Sequence, residues 1–256
     1  YLVLKKFYSK KELDDFSKEL AILIHTNCKK LNINPPPLND DSIYDKGIDL
    51  LEKLDHEYVA SLYDTIFQIP AFFRLCGKKE TQQVINNLLD KNLNAPLYGF
   101  TNRCRIDPPR DERRTYGWHQ EIFYTIPKSH FIQTWAPLVR DTTLNNGTIE
   151  ICVGSHKEGI AKQVWAEKAG YSKQIIVDPD IVSKYKQIKL EMKLGELLLF
   201  TGKTFHQSGK NLSNQVRYSL VGLYHDVSSP DFIAPKITFS HRNQDQKEYY
   251  NEYFEK

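Results

Sequence analysis

The sequence lacks the features that are typical of disulfide-bonded, membrane-spanning or strongly charged proteins. It has four scattered cysteines and no CxxC pair, so we expect free thiols and a cytoplasmic location. No apolar run approaches the roughly 20 residues of a membrane helix, and the opening residues 1–5 are too short for a signal peptide. They look like a trimmed first strand, so native residues are expected to be missing. The formal charge of +3 is too small to indicate that the protein binds nucleic acid or a membrane surface.

Aromatic residues are abundant, with 15 Tyr and 13 Phe. This content suits a β-rich body with pockets, and a chain of 256 residues can form one domain with helical additions. There is no internal repeat and no low-complexity segment. We therefore predict a single domain over 1–256, with a mainly helical scaffold over 1–95, a β core over 96–240 and a closing helix over 241–256.

Helical patterns are concentrated in the first third of the chain. After a short strand over 1–7, Ser9 and Glu12 form a capping box ahead of a helix that runs to about Lys30. Two further stretches have helical periodicity, at about 47–68 and 78–91. These helices carry no reactive cluster, so we predict that they are a scaffold that covers one sheet.

Strand patterns begin near 95–96. Short apolar or alternating runs, divided by Gly, Pro and Asn, lie near 97–106, 118–126, 130–138, 148–153, 185–193, 196–201, 215–225 and 233–239. Seven or eight strands with this spacing predict a sandwich or jelly roll. The long mixed segment 156–184 is expected to be a lid or binding loop.

The stretch around which the chemistry is organised is Tyr116–Glu121, where a His and a Glu stand two residues apart. The residues after it favour a strand, in which residues i and i+2 face the same side. His119 and Glu121 are therefore predicted to hold one metal ion, with His206 as the further ligand. Two His and one carboxylate with open positions form the ligand set of non-haem Fe(II) oxygenases.

A cationic side chain follows this ligand set. Arg217 lies eleven residues after His206, and the polar segment between them can turn the chain back. We predict that Arg217 returns beside the strand of His206, where its guanidinium can grip a carboxylate with two bonds. Other side chains that strand parity places on candidate cavity faces are Ser219, Gln133, Trp135, Arg103 and Arg105.

Four motifs occur in a fixed order along the chain: Trp118–Glu121, Leu144–His156 with its Asn-Asn-Gly turn, Leu194–Phe200, and His206–Asn211 followed by Arg217. Together they resemble the phytanoyl-CoA dioxygenase family of Fe(II)/2-oxoglutarate oxygenases. The likeness covers nearly the whole chain and is weakest in 30–95 and 156–190. The family usually has Asp where this chain has Glu121. The acid is nevertheless retained, which argues against the related halogenases, where Gly or Ala replaces it.

The resemblance implies a mainly β fold with flanking helices, a double-stranded β-helix of the jelly-roll, cupin-like kind. It implies Fe(II) on His119, Glu121 and His206, and 2-oxoglutarate with its distal carboxylate on Arg217. Ser219, Gln133 and Arg105 (or its neighbour Arg103) are expected to help bind the cosubstrate. The family's chemistry uses O2, with ascorbate as reductant in vitro, and releases succinate and CO2 while an unactivated C–H bond is hydroxylated.

Other functions are compatible with the same residues. Desaturation, ring closure and epimerisation use the same iron site, and a jelly-roll binding protein without catalysis is a further alternative. A cluster at Arg110, Arg113 and Arg114 suggests a nucleic-acid oxygenase, but no wide basic stripe or aromatic ladder accompanies it. We expect a small polar or anionic substrate, no membrane and no nucleic-acid partner; the oligomeric state is left open.

Overall fold

The computed structural model describes residues 1–126, 129–168, 171–230 and 232. The strand predicted at 233–239 and the closing helix at 241–256 lie outside these residues. The helices are α1 (Lys10–Lys30), α2 (Ile48–Leu54), α3 (His56–Ile66), α4 (Pro70–Cys76), α5 (Lys79–Leu88) and α6 (Pro179–Val182). None of these helices is long and apolar enough to cross a membrane.

The strands of the described residues are β1 (Leu2–Leu4), β2 (Leu97–Gly99), β3 (Arg103–Asp107), β4 (Phe131–Leu138), β5 (Ile149–Cys152), β6 (Gln163–Lys168), β7 (Tyr171–Val177), β8 (Gln187–Leu190), β9 (Leu197–Thr201), β10 (His206–Ser208) and β11 (Arg217–Asp226). Short helical turns lie at Ile43–Gly47, Glu112–Arg114, Glu121–Phe123 and Ser155–Glu158.

The β core consists of two antiparallel sheets. The major sheet has the order β1-β9-β4-β11-β2, with β3 also paired to β11, and the minor sheet has the order β10-β5-β8. Trp135 and Phe200 of the major sheet pack against Ile149 and Ile151 of the minor sheet. The mainly β, jelly-roll fold with flanking helices that the sequence predicted is confirmed.

Strand β9 shows why the major sheet has continuous apolar runs. Successive side chains of a strand face opposite sides, and here both sides are buried. Leu197 and Leu199 join the cluster that contains the helices, whereas Leu198 and Phe200 pack between the sheets. Such a strand has no polar side, so its sequence is unbroken Leu-Leu-Leu-Phe.

Helix α1 covers the outer face of the major sheet. Its capping box is present, because Ser9 Oγ accepts from the Glu12 amide and Glu12 Oε2 accepts from the Ser9 amide at 2.8 Å. Phe16 and Leu20 are fully buried in one cluster with Tyr218 of β11. The predicted helix to Lys30 and its role as part of a scaffold agree with this arrangement.

The other predicted helices need correction. The helix predicted at 47–68 is two helices, because Asp55 has extended backbone angles that end α2, and its carboxylate accepts from the Glu57 amide to begin α3. Helix α4 was not predicted; Pro70 occupies its first turn, where its missing N–H costs nothing. Helix α5 lies within the stretch predicted at 78–91.

The predicted strand at 118–126 is wrong. His119 makes a single antiparallel bridge to His206, after which the chain turns into the 3-10 turn Glu121–Phe123. The run 97–106 is divided into β2 and β3, with Thr101 between them at φ 55°. The segment 156–184, expected to be a lid or binding loop, contains the hairpin β6–β7 and α6. At His119 the long-range bridge to His206 overrides local strand propensity.

Candidate metal centre

Three potential metal ligands meet at the edge of the minor sheet. The ligand atoms of His119, Glu121 and His206 all lie within 4.8 Å of one another. Each imidazole Nε2 is 3.5 Å from Glu121 Oε2. Both histidines are buried, so the cluster is shielded from bulk water. Two imidazole nitrogens and a carboxylate oxygen are suitable donors for Fe(II).

The backbone sets the distance between the two histidines. His119 and His206 exchange two amide-to-carbonyl hydrogen bonds, of 3.0 and 3.1 Å. Each Nδ1 faces a carbonyl oxygen, that of Gly117 at 2.7 Å and that of Thr204 at 3.0 Å. A carbonyl can only accept, so Nδ1 carries the proton and Nε2 is left as a lone pair toward Glu121. Lone pairs that converge on a carboxylate repel each other, and a bound cation removes that repulsion.

The protonation of the cluster also suits a cation. Burial raises the pKa of Glu121, but hydrogen bonding and charge from the two imidazoles when they are protonated outweigh burial and hold that pKa well below its usual range. Burial, followed by the neighbouring His119, lowers the pKa of His206. An ionised carboxylate beside a neutral imidazole is the state in which these side chains bind metal.

His119 and Glu121 do lie together, but the prediction that they do so by facing one side of a strand is wrong. The 3-10 turn at Glu121–Phe123 returns the carboxylate to the histidines. Gln120, which sequence reasoning missed, holds the turn from behind, because its amide donates to the carbonyls of Gly159 at 2.7 Å and Lys203 at 2.8 Å. The complete burial of this glutamine, between two ligand residues in the sequence, indicates that it has a structural role in the site.

Gln133 lies against the same cluster. Its Nε2 is 3.4 Å from both Glu121 Oε2 and His206 Nε2. Its Oε1 is buried without a hydrogen-bond partner among the described residues. The side chain therefore faces the centre with an acceptor to spare, consistent with its predicted place in the site.

Arg217 reaches the cavity from the other sheet. Its strand β11 pairs with β2, β3 and β4, so the prediction that it lies beside the strand of His206 is wrong. The guanidinium crosses the gap between the sheets, where Nη1 donates to the Gly209 carbonyl at 3.0 Å, one residue beyond β10. Arg217 and His206 thus approach one cavity from opposite walls.

Asp107 joins two arginines of this wall. Its carboxylate lies 2.9 Å from Arg217 Nη2 and 2.6 Å from Arg105 Nη2. Burial raises the pKa of Asp107, but the charges of Arg105 and then Arg217 outweigh it and hold that pKa well below its usual range. Two guanidiniums share one carboxylate, which leaves a net positive charge and favours an anion beside them.

The remaining predicted residues occupy the expected faces. Ser219 is fully buried between Arg217 and Val221 on one face of β11; it is not among the residues that line the cavity, and its hydroxyl has no partner among the described residues. Trp135 lines the cavity and also packs between the sheets. The cavity has a volume of about 210 Å³. Its lining includes residues that the sequence did not single out: Tyr63, Thr101, Tyr116 and Tyr124.

Acidic side chains pair with part of the arginine cluster of the neighbouring loop. Arg113 pairs with Asp111 at 2.8 Å and with Glu52, and Arg110 Nη2 donates to Asn214 at 3.3 Å. Arg114 lies 3.8 Å from the Asp111 carboxylate. Two carboxylates thus offset part of the charge of the three arginines.

Comparison with known sequences places the chain in a family. Residues 1–219 match the family model "Phytanoyl-CoA dioxygenase (PhyH)". A phytanoyl-CoA dioxygenase of Arabidopsis thaliana is 35% identical over 106 residues, which are 40% of this chain. The match extends over 35% of that protein, so the chain spans about a third of the length of this curated relative.

Solved structures support the fold. The epimerase SnoN, in complex with Fe3+, alpha ketoglutarate and nogalamycin RO, is 13% identical with a TM-score of 0.60 over 93% of this chain and 86% of that chain. EctD from S. alaskensis, with 2-oxoglutarate and 5-hydroxyectoine, is 17% identical with a TM-score of 0.58 over 89% and 72% of the two chains. Since the family model spans nearly all of the described residues, this chain belongs to the phytanoyl-CoA dioxygenase family of Fe(II)/2-oxoglutarate-dependent oxygenases.

Proposed function

We propose that the protein is an Fe(II)- and 2-oxoglutarate-dependent dioxygenase that hydroxylates an unactivated C–H bond of a small molecule, with release of succinate and CO2. The observation that carries this proposal is the convergence of His119, Glu121 and His206, whose ligand atoms lie within 4.8 Å of one another. Arg217 lines the same cavity. Membership of the family agrees with both.

Each site residue has a role that its contacts support. His119, Glu121 and His206 would hold Fe(II) and leave its other positions open, and bound iron with 2-oxoglutarate and O2 would supply the oxidation. Arg217, with Arg105 beside it, receives the distal carboxylate of 2-oxoglutarate. Asp107, through Nε and Nη2, and the Gly209 carbonyl, through Nη1, orient its guanidinium before any ligand binds. The chain thus contributes orientation and exclusion of water.

Two candidate helpers complete the cosubstrate site. Gln133 keeps an unpaired Oε1 and Ser219 keeps an unpaired hydroxyl, both buried among the described residues. A buried polar atom without a partner costs free energy, so a bound ligand that satisfies it is favoured. We assign Gln133 to the metal-proximal end of 2-oxoglutarate and Ser219 to the end near Arg217.

The substrate class follows from the size and setting of the cavity. A volume of about 210 Å³ suits a small molecule, and the related structures hold nogalamycin RO and 5-hydroxyectoine.

The four cysteines are free and buried, which supports a reducing compartment such as the cytoplasm.

A different outcome at the same centre is a second candidate. The likeness to SnoN, an epimerase, favours epimerisation, and desaturation or ring closure would need the same residues. Product mass separates the outcomes, because hydroxylation adds one oxygen atom whereas the others add none. A binding protein without catalysis has no need for the ligand triplet together with Arg217.

The test is anaerobic addition of Fe(II) and 2-oxoglutarate to the purified protein, with the visible charge-transfer band as the readout. We expect the band in the wild type and its loss in His206→Ala. His156→Ala is the matched control, since His156 is exposed and lies outside the cavity, and we expect it to keep the band. A band of wild-type strength in His206→Ala would refute the metal assignment. Succinate release across a metabolite library would then identify the substrate.

A further inference from the structure

Strand β3 presents a row of polar side chains to the cavity. Arg103, Arg105 and Asp107 alternate with Cys104 and Ile106, which are buried in the core under the helices. Alternate residues of a strand share a face, so all three polar groups lie on the cavity side. Both arginines line the cavity that contains the metal ligands.

The two arginines differ in the ion pairs and hydrogen bonds that they already form. Arg105 pairs with Asp107 at 2.6 Å and donates to the Arg114 carbonyl. Arg103 is exposed, and within the part of the chain that the structure describes it forms no ion pair. Arg105 is therefore committed to the cosubstrate wall, whereas the guanidinium of Arg103 has free donors.

Tyr63 of α3 lines the same cavity as Arg103. Burial raises the pKa of Tyr63, and the charges of Arg105 and Arg103, with a hydrogen bond from Arg103, oppose that rise only in part. The phenol therefore stays protonated at neutral pH and can donate its O–H. A guanidinium and a phenol side by side are donors suited to an oxyanion.

The register of the major sheet locates this pair relative to the metal centre. Arg103 lies opposite Val221 on β11, and Val221 lies opposite Trp135 on β4. Gln133, which touches the metal ligands, lies opposite Leu223. The surface between the centre and Arg103 is therefore apolar, and it spans about two strand spacings, roughly 10 Å. A molecule that rests its carbon skeleton there places one end at Arg103.

The charge balance of the cavity also favours an anion at that end. Asp107 offsets one of its two arginines, and Glu121 offsets part of the charge of a divalent ion. A dianionic keto-acid cancels the rest of the charge at the metal centre and at Arg217. The charge of Arg103 is left over and gives that end of the cavity a positive potential.

We propose that Arg103 and Tyr63 form a substrate subsite for a carboxylate or an oxyanion of similar size. The preferred substrates are then small molecules with an apolar body, oxidised near the metal, and an anionic group about 10 Å away. This inference rests on the proposed function and names the substrate class for the same centre. It also divides the two arginines of β3 between cosubstrate and substrate.

The test compares a small carboxylate with its neutral amide. The protein is loaded with Mn(II) and saturating 2-oxoglutarate without oxygen, and trifluoroacetate or trifluoroacetamide is added as the probe. The paramagnetic ion broadens the fluorine NMR signal of whichever probe occupies the cavity. We expect about tenfold stronger broadening of the acid than of the amide, the ratio that one charge-assisted contact provides.

Variants assign the effect to the subsite. We expect Arg103→Gln to reduce the broadening of the acid signal to that of the amide signal. Arg103→Lys should keep part of the preference for the acid, and Tyr63→Phe should weaken that preference a few-fold. Arg110→Gln is the matched control, because Arg110 is an exposed arginine outside this cavity, and it should behave as the wild type. Thermal unfolding confirms that each variant is folded.

The outcomes separate this inference from the function on which it rests. Equal broadening of acid and amide in the wild type, or an undiminished preference in Arg103→Gln, would overturn the subsite alone. If neither probe is broadened in the wild type beyond the level of His206→Ala, the subsite is refuted, and the anaerobic charge-transfer band decides separately whether metal binds the triplet. A missing band would overturn the proposed function, and the subsite with it.

Discussion

At the scale of single residues, the orientation of Arg217 is decided before any ligand arrives. Asp107 accepts from its Nε and Nη2, and the Gly209 carbonyl accepts from its Nη1. Asp107 is itself held by Arg105. A side chain with several rotatable bonds normally loses conformational entropy on binding, and here much of that loss has already occurred during folding.

We expect Arg217→Ala to raise the 2-oxoglutarate concentration needed for half-saturation by roughly two orders of magnitude, because truncating one partner of a buried charge pair costs about 2–5 kcal/mol. Arg217→Lys keeps the charge but loses the fork, and should give a smaller increase. Titration of the anaerobic charge-transfer band measures both. Arg140→Ala removes an arginine paired with Asp45, outside the cavity, and controls for stability. An unchanged requirement in Arg217→Ala would exclude this residue from the cosubstrate site.

At the scale of elements, two chain segments approach each other unusually closely behind Arg217. Gly147 has φ 81°, and a Cβ there would lie 2.6 Å from the Lys210 carbonyl oxygen and closer still to that of Gly209. The Gly209 amide donates to Thr148 at 2.9 Å. The Asn-Asn-Gly turn thus needs glycine for its backbone angles and also for contact with the segment that accepts from Arg217.

We expect Gly147→Ala to destabilise the protein more than Gly154→Ala. Both glycines have φ near 80°, but a Cβ at Gly154 would meet nothing within 4 Å. Gly154→Ala therefore isolates the backbone strain, roughly 1–2 kcal/mol, whereas Gly147→Ala adds a clash with backbone atoms. Denaturant unfolding gives the difference, and 2-oxoglutarate titration should show weaker binding only for Gly147→Ala. Equal losses of stability would mean that the close approach can relax.

At the scale of the whole molecule, one buried cluster joins the helices to the major sheet. Phe16 of α1, Ile48 of α2 and Leu62 of α3 belong to the same cluster as Leu220 of β11. If the helices separated from the major sheet, the apolar side chains of this cluster would be exposed to water and their hydrophobic stabilisation would be lost. This argues that residues 1–95 are part of the β domain rather than a unit of their own.

We therefore expect a single unfolding transition. Trp118, Trp135 and Trp165 all lie in the β region, so their fluorescence reports on that region, while far-ultraviolet circular dichroism is dominated by the helices. Phe16→Ala should move both transitions together and cost about 3–5 kcal/mol, whereas Ile22→Ala on the exposed side of α1 should cost little. Two separate midpoints would show that the helical layer unfolds by itself.

Several local elements and the chemical groups of the site could be predicted from the amino-acid sequence alone. They include the capping box of α1, the strand β9 and the ligand types at His119, Glu121 and His206. Each depends on neighbours within a few residues, or on the identity of a side chain. That information is present in the order of residues, whatever the rest of the chain does.

How those groups meet depends on contacts between distant parts of the chain. Glu121 reaches the histidines through a 3-10 turn rather than a strand, after a bridge between residues 119 and 206. Arg217 arrives from the opposite sheet, and Tyr63 enters the cavity from a helix that has no reactive motif. The physical reason is that these positions depend on hydrogen bonds and packing between residues far apart in the chain, which local pattern does not encode.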